Sequence, residues 1–117
     1  MKYLCLIYGV ESVLAAMPPA DMQKFMGEFQ TFTQSIKQNG QWLGGERLKP
    51  VHAATTVRVR DGKVSTTDGP FAETKEQLGG FYLIEARDLN DAIQVASRIP
   101  SARHGSVEVR PVWEMAG

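Results

Sequence analysis

The chain has 117 residues, 43% hydrophobic and 22% charged, with thirteen basic and thirteen acidic side chains that cancel. That composition excludes a disordered chain, which needs fewer apolar and more charged residues, and its length suits a single domain over residues 1–117. With no net charge and no Lys/Arg cluster, neither nucleic acid nor anionic lipid is expected as a partner. The same neutrality removes the repulsion that keeps copies apart.

Cys5 is the single cysteine, so no internal disulfide and no cysteine-based metal site is expected. It stands inside Tyr3-Leu4-Cys5-Leu6-Ile7, where a small buried residue fits, and no basic residue flanks it closely. The apolar run at the N-terminus is too short for a signal-peptide core or a membrane span, so the chain reads as cytoplasmic.

Lys2 to Tyr8 is a continuous apolar run that predicts a buried central strand, ended by Gly9. Pro18-Pro19 marks a loop into a helix, on which Met22, Phe25, Met26, Phe29, Phe32 and Ile36 recur at helical spacing. Asn39-Gly40 supplies the left-handed stop. A strand over 41–48 follows, with a bulge or close backbone approach at Gly44-Gly45.

Thr55 to Arg60 alternates apolar and polar residues, Asp61-Gly62 predicts a two-residue hairpin turn, and Lys63 to Thr67 returns. Asp68-Gly69-Pro70-Phe71 is a second turn, Ala72 to Gln77 is polar, and Gly80 to Glu85 makes another strand. Asp88 caps a second helix, with Leu89, Ala92, Ile93 and Ala96 inward and Pro100 as its stop. Ser106 to Val112 is the last strand.

The order predicts an α+β fold of the ferredoxin-like, split βαβ kind, with an extra hairpin and both helices on one face of an antiparallel sheet. Leu4, Leu6, Tyr82, Ile84 and Val112 are expected on the opposite face, a patch too large to leave in water. A second copy related by a two-fold axis is the simplest cover, which predicts a homodimer.

Asp68 to Glu76, followed by Leu78-Gly79-Gly80-Phe81-Tyr82, is similar to the signature of the DGPF group of YCII-related proteins. Val107 to Val112, Gly44 to Leu48 with Pro50, and Thr55 to Arg58 resemble that group as well. The resemblance implies a dimeric α+β barrel, in which two ferredoxin-like sheets face each other, and a fold rather than an activity. It also brings a suggested His–Asp acid–base pair with the His near the start of the first helix. This chain has Ala20-Asp21-Met22-Gln23 there, so the pair is incomplete.

Asp68 has two readings: a turn residue whose carboxylate accepts backbone N–H groups, or a general base or anchor at a cleft mouth. His104 is the second catalytic candidate; both it and His52 fall in loop-like sequence, and two lone histidines make no metal site. Tyr8, Phe71, Glu73, Lys75 and Arg110 are the candidate ligand-binding residues. Glu73 and Lys75 read equally as a solvated stretch, and Arg110 as the partner of Glu108 on the face away from the helices. No phosphate loop, nucleophile elbow or zinc motif is present, and no cofactor is expected. Three functions follow: a homodimeric module holding a small organic ligand between helix and sheet, a cofactor-independent enzyme using Asp68, or a bare structural or interaction role.

Overall fold

A computed structural model describes residues 1–115. Among these residues, six strands and three α-helices follow in the order β1 (Lys2–Gly9), α1 (Glu11–Ala15), α2 (Pro19–Gln38), β2 (Trp42–Arg47), β3 (Thr55–Arg60), β4 (Lys63–Asp68), β5 (Gln77–Glu85), α3 (Leu89–Ser97) and β6 (Ser106–Pro111). Short 3₁₀ turns at Val51–Ala53 and Pro100–Arg103 precede β3 and β6. Strands β2-β5-β1-β6 form an antiparallel sheet in that order, and β3-β4 form a second, two-stranded sheet. This is the ferredoxin-like arrangement with an inserted hairpin.

Local chemistry explains the boundaries. Asp61 and Gly62 adopt φ of 53° and 74°, as the hairpin turn between β3 and β4 requires. Asp88 caps α3 by accepting from the Asp91 N–H at 2.8 Å, and the Asp91 carboxylate accepts in return from the Arg87 N–H at 3.0 Å. That bond, with the Arg87 guanidinium beside it, holds the Asp91 carboxyl below its usual range.

The core lies between the sheet and α2 and α3. Tyr3, Cys5, Tyr82 and Ile84 face Phe32 and Ile36 of α2 and Ala92, Val95 and Ala96 of α3, and all are buried. Val107 and Val109 of β6 pack against the same cluster. Burial pushes the Cys5 thiol up to about 11, so at neutral pH it is an inert thiol filling space.

Residues 11–15, where the sequence pattern places no element, form the short helix α1. Two expectations need correction. Tyr82 and Ile84 point toward the helices, since their β1 partners are Cys5 and Tyr3; the outward set is Leu4, Leu6, Phe81 and Leu83, all half-buried. Both faces of β5 are apolar, so hydrophobicity alone did not set its phase. On α3 the inward stripe is Ala92, Val95 and Ala96, while Leu89 and Ile93 are 49% and 47% exposed. The stripe continues to Ile99 just past the helix end, which the sequence pattern stopped short of.

Candidate functional site

A cavity of about 360 Å³ opens between the N-terminal half of α2 and the sheet. Its origin is in two glycines. Gly80 pairs with Ile7 and Arg47, and Gly45 pairs with Tyr82, so both stand on the rows that face α2. Any side chain there would strike backbone: a Cβ at Gly45 would lie 2.9 Å from the Phe81 carbonyl oxygen, and one at Gly80 2.8 Å from that of Glu46. With those rows bare, the helix residues opposite, Met22, Met26 and Phe29, are only half-buried and become the apolar wall.

The remaining sides come from the loops. Strand β1 ends in Tyr8 and Gly9, and α1 follows directly, placing Val13 and Leu14 along the cavity. Helix α1 is tethered by Glu11, whose N–H donates to Gln77 Oε1 and whose carboxylate accepts from the Val51 N–H, both at 3.0 Å. Gln77 also donates through Nε2 to the Thr74 carbonyl at 2.6 Å, tying this end of the cavity to the loop before β5. At the other side His104 stands edge-on to Phe25, with ring centroids 5.6 Å apart.

Polar groups within this largely apolar space are few. The hydroxyls of Thr33 and Tyr82 lie 2.8 Å apart. Burial pushes the Tyr82 phenol above its usual range, and the Thr33 contact opposes that. Phe32 and Trp42 hold the Tyr82 ring from two sides, with centroids 5.1 and 5.9 Å away. Arg47 lies on the α2-facing side of β2, with Nη1 3.7 Å from the Met26 sulfur.

Of the residues singled out in the sequence, Tyr8 and His104 line this cavity. Asp68 ends β4 in an exposed position, and Phe71, Glu73 and Lys75 are exposed in the segment that follows; none of them lines it. The turn at Asp68 is held without its carboxylate. Gly69, at φ 106°, donates its N–H to the Ala54 carbonyl at 2.7 Å and accepts from the Thr56 hydroxyl at 2.9 Å. Those bonds cross the β3–β4 pair and leave the Asp68 carboxylate with no hydrogen bond among the described residues.

Arg110 pairs with Glu108 of its own strand on the face away from the helices, through both Nε and Nη2. His52 is exposed in the 3₁₀ turn. Among the described residues no three His, Cys, Asp or Glu side chains converge as metal ligands, and no helix is long and apolar enough to cross a membrane.

Thr33, Tyr82 and Arg47 were not foreseen. Thr33 carried a signal, being a polar residue four positions after Phe29 within the inner stripe of α2. The glycine pairs 44–45 and 79–80 carried another, since both fall within strands.

A family model described as the YCII-related domain matches residues 1–116. An uncharacterised protein of Rhizobium meliloti (strain 1021) is 39% identical over 114 residues, an alignment that covers 96% of this chain and 92% of that protein.

Proposed function

Since the chain belongs to the YCII-related domain family, we propose that it works as a homodimer holding a small organic ligand in the cleft between α2 and the sheet. Within that family, the likeness of the run from Asp68 to Glu76 supports a place in the DGPF group, and a lone buried thiol suits a cytoplasmic protein. The observation that carries the binding role is the cavity itself. Its 360 Å³ falls within the ~300–1,000 Å³ of small-molecule sites, which combine apolar walls with a few fixed polar groups.

Met22, Met26 and Phe29 would take the apolar body of the ligand, since burying carbon surface yields ~25 cal/mol per Å². The Thr33–Tyr82 pair would fix its orientation. Two hydroxyls share one hydrogen bond, so one donor hydrogen remains for a ligand's polar atom. Acid–base chemistry at Asp68 draws no support from this cavity, and the carboxylate of Glu11 is already bonded to Val51.

The dimer reading rests on the outer sheet face, where Leu4, Leu6, Phe81 and Leu83 form an apolar, half-buried centre on the side turned away from α2 and α3. Binding is tested by a thermal-shift screen of small aromatic and aliphatic compounds on the wild type and on Thr33→Val. A ligand of this site raises Tm by mass action and raises it less in the variant. A library that stabilises neither protein, or both equally, defeats the reading.

A further inference from the structure

We propose that the β3–β4 hairpin is an arm that clasps a second copy of this chain, laying Val57, Val59 and Val64 against it. This rests on the dimer reading above and goes beyond it by naming the contact that completes the interface. The hairpin forms a sheet of its own, outside the four-stranded sheet. The radius of gyration is 16.3 Å, against about 13 Å for a compact chain of this length. Mass is therefore held away from the body.

The two faces of the arm differ in chemistry. Val59 pairs with Val64 and Val57 with Thr66, so the three valines share a face; Arg58, Arg60 and Lys63 share the other. The valines are 60%, 57% and 71% exposed. A lone two-stranded hairpin is marginal in water, and one whose apolar face stays wet gains nothing from that face. The cationic face is suited to solvent, which leaves the valine face as the one that docks.

Area identifies the occupant. Four strands spaced ~4.8 Å apart and averaging about seven residues present roughly 450 Å² of outer face in projection. Two such faces bury about 900 Å², short of the ~1,200 Å² at which stable interfaces begin. Each arm, about 20 Å by 10 Å, covers roughly 200 Å² and buries as much beneath it. Two arms add about 800 Å², which brings the total to about 1,700 Å², within the ~1,200–2,000 Å² of standard interfaces. A two-fold axis uses each face and each arm twice and closes the assembly, and the chain's zero net charge sets no repulsion between copies.

Sedimentation equilibrium tests this on the full chain, with the triple variant Val57→Thr, Val59→Thr, Val64→Thr, which retains β-forming residues, and separately with Leu6→Asp. The expected result is a dimeric wild type and a dissociation constant at least ten-fold weaker in the triple variant. An unchanged constant in the triple variant, with Leu6→Asp monomeric, overturns the arm and leaves the dimer. A monomeric wild type overturns both. If the triple variant fails to fold, amide exchange on the wild type decides: protection across 56–67 must rise with protein concentration, and concentration-independent exchange there overturns the arm.

Discussion

Gly105 is where one added methyl should cost most for its size. A Cβ there would lie 2.2 Å from the Tyr8 carbonyl oxygen and 3.0 Å from the Gly9 Cα, whereas ordinary contact begins near 3.4 Å. Both obstacles are backbone, so neither can rotate away, and β6 would have to retreat by about 1.2 Å, the gap between 2.2 and 3.4 Å. Ser106 is paired with Tyr8, so that retreat also disrupts the first rung of the β1–β6 ladder. Overpacking costs about 1–3 kcal/mol and a lost ladder bond about 0.5–1.5 kcal/mol. Replacing Gly by Ala returns about 0.4–1 kcal/mol through the unfolded chain.

Gly105→Ala should therefore destabilise by about 2–3 kcal/mol, a fall in Tm of roughly 8–12 °C at about 4 °C per kcal/mol. Gly44→Ala is the internal control, because a Cβ there meets nothing within 4 Å. It should leave stability within about 0.5 kcal/mol of the wild type or raise it. Urea unfolding of the three proteins measures both values. Equal midpoints for Gly105→Ala and Gly44→Ala would refute the close approach of Gly105 to β1.

Phe32, at 5% exposed, should cost about 3–5 kcal/mol when cut to Ala; Phe29, half-buried on the cavity wall, should cost clearly less. Equal losses on denaturant unfolding would mean that Phe29 is core rather than wall. Asp68→Asn should shift stability by under about 0.5 kcal/mol, as for surface changes away from any bonded feature; a loss above about 1 kcal/mol would show a bond to its carboxylate. Cys5 titrates near 9.0 when unfolded and near 11 when folded, so its proton stabilises the fold below pH 9 and that contribution is lost as pH rises through 11. Two units correspond to about 2–3 kcal/mol, and the wild type should lose that much more than Cys5→Ala over this range. Parallel pH profiles for the two proteins would contradict a buried thiol.

Elements with one strong local signal were legible in the sequence. The run at 2–8 is β1, the 3.6-residue stripe from Met22 to Ile36 is α2, and Asp61-Gly62 and Asp88 mark the turn and the cap. Helix α1 was not legible, because five residues are too few to show a period and its ends have no side-chain cap. The phase of β5 depended on its pairing to β1, which slips at a bulge between Ile7 and Tyr8. The site was harder still. Tyr8 and His104 come to the cavity from strand and loop ends, while Thr33, Arg47 and Tyr82 meet there through contacts between residues up to 49 positions apart. The conspicuous Asp68–Phe71 motif is read most easily and lies outside the lining.

The central claim is that ligands enter the cleft between α2 and the sheet, and amide chemical-shift mapping with any compound that raises Tm tests it most directly. Shifts should concentrate at 7–11, 26–33, 79–82 and Gly105. Shifts confined to Leu4, Leu83, Glu108 and Arg110 on the outer sheet face, with Thr33 and Gly105 unmoved, would contradict it.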